Sequence, residues 1–428
     1  MATTVTRPNP HPHILVFPYP AQGHMLALLD LTHQLALRGL TITILVTPKN
    51  LPFLSLLLSS HPSITPLVFP FPSHLLIPPG VEHVKDLGNS GNLPIMVALG
   101  KLHDPLVEWF DSHSEPPVAI VSDFFLGWTQ CLAIRLQIPR LTFYSSGAFV
   151  VTSLSEIEFG NLPGSPVFKQ EHLPSLFKLY KPSDPDLEMI KDGHVANTKS
   201  WGCFINSFED LEAEYVHVGP LSSVSEMNDQ VLTWLDRCPD GSVVYVCFGS
   251  QKLLRKEQIE ALANGLEKSG TRFIWVVKSG TTQQQVEGFG VVPYGFEQRT
   301  AGQVGGFLSL WVVLKSQIKR GVEKWNSVLE GIVAGVMILA WPMKADQFLN
   351  ARLLVDNIGV AVRVCEGADS VPDSDELGRA IAEVMTEGGG MKANAKDLKE
   401  KALAAVSHEG SSMKDLDRFV EELGQLGG

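Results

Sequence analysis

The sequence predicts an α/β protein of two domains, each built on a parallel sheet. Three observations carry this. The chain has 428 residues, enough for two separate cores. In both halves, short apolar runs of strand length alternate with longer stretches of helical periodicity, the pattern of consecutive βα units. Between the halves lies GPLSSVSEMND (219–229), whose Ser, Gly and Pro give it linker composition. The boundaries so read are 1–218 for the first domain, 219–229 for the linker and 230–428 for the second domain.

Composition narrows the function. With 44% hydrophobic and 19% charged residues the chain reads as an ordinary soluble globular protein. Its 46 acidic against 34 basic residues give a net charge of -12, which argues against nucleic acid or an anionic membrane as partner. The five cysteines stand singly, without a C-x-x-C pair, as expected of a protein in the reducing cytoplasm. The only apolar run near the N-terminus is short and broken by Pro18 and Pro20, so neither a signal peptide nor a membrane span is expected.

The first element is a buried-type strand over Ile14 to Phe17. A loop from Pro18 to Gly23 leads into a helix from about Met25 to Arg38 that stops at Gly39, and a second strand follows over Leu40 to Thr47. The G-x-G-x-x-G dinucleotide fingerprint is absent after the first strand, which sets a nicotinamide oxidoreductase aside. In its place stands His24. At a helix N-terminus the dipole disfavours imidazolium, so a histidine there stays neutral and able to take a proton. A first-turn surface residue is the alternative. The strand VAIVS (118–122) ends at Asp123, on the sheet edge that carries the His24 loop. A carboxylate there can accept the other ring N–H and stabilise the imidazolium formed in reaction, or simply cap the next turn. Phe124, Phe125, Trp128, Phe143 and Tyr144 cluster nearby. One or two of them are expected to wall a pocket for a flat phenolic molecule, the others to be core.

The second half opens with the strand SVVYVCF, followed by Ser250 in a loop able to offer backbone N–H groups to a phosphate. A helix over about Lys256 to Lys268 and a strand over Arg272 to Val277 continue the alternation. The stretch WNSVLEGIVAGVMILAWPMKADQ (325–347) then reads as helix start, helix, glycine stop at Gly335, buried strand and a second helix start. Asn326 and Ser327 would present backbone N–H groups to a phosphate, Glu330 one turn on would meet a ribose, and Asp346 and Gln347 would meet a second polyol at the strand's C-terminal rim. Ser327 and Glu330 also satisfy a plain capping box, and Asp346 a plain N-cap.

These residues carry a resemblance. WNSVLEGIVAGV with WPMKADQFLNA, together with FPYPAQGH and SDFFLGW, closely resembles the plant UDP-dependent glycosyltransferases of family 1, and stretches such as SPVFKQEHLPSLF resemble their flavonol and hydroxybenzoate branch. The resemblance implies the GT-B fold, two Rossmann-like domains facing across a cleft, with the last helix able to pack back on the first domain. It implies a hexosyltransferase that moves a sugar, glucose above all, from a UDP-sugar to a phenolic hydroxyl with inversion. His24 would be the base and Asp123 its relay partner. Gly23, Ser250, Trp325, Asn326, Ser327, Glu330, Asp346 and Gln347 would hold the donor. No metal and no cofactor beyond the UDP-sugar co-substrate is implied, and the enzyme would be a cytoplasmic monomer.

The departure from the family pattern lies in GGFLSLWVVLKSQIKRGVEKWNS (305–327). The signature box begins W-A-P-Q, for the uracil, and later reads H-C-G-W-N-S, whose histidine meets the diphosphate. Here Val304, Val322 and Lys324 stand at the tryptophan, histidine and glycine positions. A local reading-frame slip is the simplest account of a basic run between two matching flanks. The segment 302–324 is expected to pack poorly, and a silent homologue that only binds small molecules is the rival function. The stretches around 154–166 and 212–220 are shorter than the family pattern.

Overall fold

The computed structural model describes residues 12–87, 91–148, 181, 183–212, 234–248, 252–308, 319–322, 325–387 and 389–426, and of 304–308 and 319–322 the backbone. The linker 219–229 and the stretch 154–166 lie outside these residues. The chain divides into two compact units, one of residues 1–144, 182–204 and 413–428, the other of 145–181 and 205–412.

The first unit holds a six-stranded sheet of β1 (His13–Phe17), β2 (Thr41–Val46), β3 (Ile64–Val68), β4 (Ala119–Asp123), β5 (Arg140–Tyr144) and β6 (Gly202–Ile205), in the order β3-β2-β1-β4-β5-β6. The pairs from β3 through β5 are parallel. Ile14, Leu15, Val16, Ile120 and Val121 are fully buried, as strands covered on both faces must be. Helix Gln22–Leu37 buries Met25, Leu28, Leu29, Leu31, Thr32 and Leu35, a stripe at helical spacing, and the chain turns out of it at Gly39 with φ +87°. This strand order reverses direction between β1 and β4, so their C-terminal ends flank the switch point where open α/β sheets bind ligands. Phe17 pairs in register with Ser122, which sets the residue after β1 level with Asp123. The last helix, Ser411–Leu426, packs Phe419 edge-on to Phe204 at 4.8 Å, and Arg38 Nε donates to Asp417 Oδ1 at 2.7 Å.

The second unit repeats the arrangement. β7 (Val243–Cys247), β8 (Arg272–Val276), β9 (Val304–Leu308), β10 (Lys319–Val322), β11 (Ile338–Ala340) and β12 (Ala361–Arg363) form a parallel sheet in the order β12-β11-β10-β7-β8-β9. Helix Trp325–Ala334 stops at Gly335, whose φ of +71° only glycine adopts freely. Within the segment 302–324, the backbone of 304–308 supplies β9 and that of 319–322 supplies β10, which lies in mid-sheet between β7 and β11. No strand is legible there because Lys-Arg-Gly-Val lacks the apolar run of a doubly covered parallel strand. None of the described helices is long and apolar enough to cross a membrane.

Candidate active site

His24 and Asp123, 99 residues apart in sequence, meet at the switch point. The helix bearing His24 starts at Gln22, earlier than its periodicity indicates, so the histidine sits in the first turn with its N–H bonded to Ala21 O at 3.0 Å. His24 Nδ1 lies 2.9 Å from Asp123 Oδ2. The carboxylate is fully buried and the imidazole 19% exposed. Since a carboxylate only accepts, Nδ1 carries the proton and Nε2 is left with its lone pair. Asp123 Oδ1 accepts from Phe125 N at 2.9 Å, so the same residue caps the turn Phe124–Leu126 and fixes the imidazole. A base held in one tautomer beside an ionisable partner can take a proton from a hydroxyl and hold it.

Aromatic rings surround this pair. The His24 ring stacks on Phe124 at 5.4 Å, tilts against Phe125 at 4.7 Å and meets the edge of Tyr19 at 5.4 Å. Tyr144 also stacks on Phe124, at 5.4 Å. Phe143 is core, whereas Phe125 and Trp128 are half-buried. Trp128, Phe124 and Phe125 line a small cavity with Met96, Met189 and His194.

The residues read as donor contacts separate into two groups. Trp325 is buried, with its indole N–H donating to Asn206 O, and Asn326 Oδ1 accepts from Asn206 Nδ2 at 2.8 Å. Asp346 stands at the N-cap of helix Gln347–Arg352 without capping it, and its Oδ2 accepts from Ser146 Oγ and Asn350 Nδ2, each at 3.1 Å. Gln347 Oε1 accepts from Met343 N at 2.8 Å and Lys344 N at 3.0 Å. Ala345, before them, has φ +54°, a left-handed conformation that costs a non-glycine residue about 1 kcal/mol or more and turns both side chains at once. Ser327 and Glu330 are half-buried on the first two turns of their helix. Gly23 lies beside His24, in the same unit as the base, and Ser250 lies outside the described residues.

Three residues at this site carry no sequence signal. Tyr19 is fully buried and donates to Asn92 O at 3.0 Å; burial, aided by the Asp123 charge, raises its hydroxyl pKa well above the ordinary range. His194 has a buried Nε2 with no hydrogen-bond partner, and burial pushes its pKa down to about 4. Arg140 is 1% exposed at the head of β5. A strand-start arginine and a histidine in a polar helix both read as surface in the sequence. Among the described residues no group of His, Cys, Asp and Glu is arranged to hold a metal ion.

No family model matches the chain. Known proteins do. It is 50% identical to UDP-glycosyltransferase 89A2 of Arabidopsis thaliana, over 96% of each chain. That alignment runs over 456 positions, more than this chain has residues, so the chain is shortened internally relative to that protein. Flavonol 3-O-glucosyltransferase UGT89B1 of the same plant is 45% identical, over 97% of each chain. Among solved structures, Arabidopsis thaliana UGT89C1 complexed with UDP-L-rhamnose superposes with a TM-score of 0.81 at 38% identity, covering 97% of this chain and 99% of that one. Its complex with quercetin gives 0.80, over 97% and 100%. With relatives 50% and 45% identical over nearly its whole length, and solved structures of the same kind superposing on it, the chain belongs to the plant UDP-dependent glycosyltransferases and has their GT-B fold.

Proposed function

We propose that this chain transfers glucose from a UDP-sugar to a hydroxyl of a flat phenolic acceptor of the flavonol kind, with inversion at the anomeric carbon. The observation that carries the reading is the 2.9 Å bond between His24 Nδ1 and Asp123 Oδ2. His24 Nε2 takes the phenolic proton as the oxygen forms its bond to the anomeric carbon. The bond from that carbon to the diphosphate oxygen breaks on the opposite face, and UDP leaves with the electron pair. Asp123 stabilises the imidazolium formed. The half-buried rings of Phe125 and Trp128 suit a planar acceptor. Relatives that act on flavonols, and a neighbour complexed with quercetin, support the acceptor class.

Trp325, Asn326, Ser327, Glu330, Asp346 and Gln347 are the proposed donor contacts, with Gly23 and Ser250. Gln347 is the proposed contact that selects glucose, and competition between UDP-glucose and UDP-L-rhamnose, the donor in a neighbouring structure, tests it. The reading includes a cytoplasmic monomer that needs no cofactor beyond its co-substrate.

His24→Ala is expected to lower turnover by about 10² to 10⁴ with the fold unchanged by circular dichroism. The assay uses a flavonol with millimolar UDP-glucose, and NMR of the product identifies the anomer. Turnover within twofold of the parent would remove His24 from the mechanism.

A further inference from the structure

Asn206 meets the first two residues of helix Trp325–Ala334 with two different groups. Its backbone O accepts the Trp325 indole N–H, and its side-chain Nδ2 donates to Asn326 Oδ1 at 2.8 Å. The residue follows β6, is 1% exposed, and belongs with that helix to the second compact unit.

The segment that carries Asn206 is fixed by other bonds. Ser207 Oγ donates to Glu212 Oε2, which also accepts from Ala148 N at 2.8 Å, and Glu212 is buried. Phe208 and Leu211 share one apolar cluster with Trp325, Val328, Leu329 and Ile332. The Trp325 ring is confined as well, since a Cβ on Gly147 would lie 2.5 Å from its Cζ2. The start of the helix is therefore held by the Asn206 backbone, the apolar cluster and this close approach, none of which uses the Asn206 side chain. Burying an amide costs free energy that an apolar side chain of the same size would not. What the amide does for this helix is bond Asn326.

That bond has a direction. An asparagine amide has one accepting and one donating end, and an N–H set against Asn326 can be met only by its oxygen. Oδ1 is thereby turned to Asn206 and Nδ2 away from it. At a helix N-terminus, where backbone N–H groups attract a phosphate, a side-chain N–H adds to the attraction, whereas the amide turned over would set oxygen against oxygen.

We propose that Asn206 is a positioning residue for the UDP-sugar, its Nδ2 holding the Asn326 amide with the N–H end toward the diphosphate. This rests on Asn326 being a donor contact, as proposed above. Asn206 acts through Asn326 rather than by touching the donor.

The test is a double-mutant cycle in the full chain, read as UDP affinity by phosphorus NMR titration and as kcat/KM for UDP-glucose below saturation. Asn326→Ala is expected to weaken both by about tenfold or more, the loss of a hydrogen bond to a charged group. Asn206→Leu, close in volume but without a donor, is expected to weaken both by about three- to tenfold while thermal unfolding stays near that of the parent. Asn206→Ala serves the same purpose should the leucine variant not fold. Combined with Asn326→Ala, either Asn206 substitution should weaken binding no further, because its effect passes through an amide already removed. An Asn206 variant that binds UDP as the parent does would overturn the proposal. So would losses that multiply in the double variant, as a general defect at the helix start produces. Unchanged affinity in Asn326→Ala would instead overturn Asn326 as a donor contact, so the two failures are distinguishable.

Discussion

Phe124 touches two imidazoles in opposite circumstances: His24 stacks on it at 5.4 Å beside a carboxylate, and His194 lies 6.2 Å away with its Nε2 unpartnered. Burial lowers His194 from its ordinary 6.5 to about 4. Its folded pKa is therefore below its unfolded one, and between these values the unfolded chain binds the extra proton. The stability it contributes is present above pH 6.5 and is lost as pH falls toward 4, up to about 3 kcal/mol in all. Burial lowers His13 and His33 in the same direction, so the parent carries a slope that no single substitution abolishes. Urea unfolding at a series of pH values from 7.5 to 4 should show a shallower decline for His194→Gln than for the parent, and parallel curves would show that His194 titrates freely. His24 and Asp123 are legible because each lies at or shortly past the C-terminal end of an apolar strand. Arg140 is not, since nothing in Ile-Pro-Arg-Leu distinguishes a buried arginine from one that reaches solvent.

Among the elements, the turn after β4 and helix Pro185–Asn197 depend on each other. The helix is capped by Asp184, which accepts from Asp186 N and Leu187 N, and Asn197 Nδ2 donates to Phe124 O at 2.8 Å. Backbones touch where Gly127 faces Gly193, and a Cβ on Gly127 would lie 2.0 Å from Gly193 O. A Cβ on Gly193 would meet nothing closer than 3.6 Å. The two glycines should thus respond oppositely. Gly127→Ala forces the helix off the turn that fixes Asp123 and should destabilise by about 1 to 3 kcal/mol or more. Gly193→Ala removes a helix glycine whose added Cβ would make only ordinary van der Waals contact, and should be neutral or stabilising by up to about 1 kcal/mol. Thermal unfolding of both variants checks this, and equal effects would mean that the contact yields. This helix is not legible in the sequence because it buries only Leu187, Ile190 and Asn197, too thin a stripe to stand out against its acidic residues. β1, β2 and β4 are legible for the converse reason, being unbroken apolar runs.

Across the whole molecule one strand order occurs twice, but the two sheets are not equally well written in sequence. The second places Lys319 and Arg320 in a central strand, in register with Val244 and Tyr245, and Gly321 and Val322 opposite Leu339 and Ala340. The flanking residues 309–318 and 323–324 lie outside the described part of the chain. The same stretch lacks the tryptophan and histidine that its family resemblance sets against uracil and diphosphate. A stacked base contributes about 1 to 3 kcal/mol and a charge-assisted hydrogen bond about 1.5 to 3 kcal/mol. Losing both weakens donor binding by about two to four powers of ten. The lysines do not compensate, because a flexible ammonium replaces neither a ring nor a fixed imidazole. UDP is therefore expected to bind with a Kd of about 1 mM or weaker, and the combined variant Val304→Trp, Val322→His and Lys324→Gly should tighten it by at least tenfold while raising turnover at low donor concentration. Calorimetry decides between this and its opposite: micromolar UDP affinity in the unaltered chain would mean that other residues of the second unit already hold the nucleotide, and that this segment is not what limits transfer.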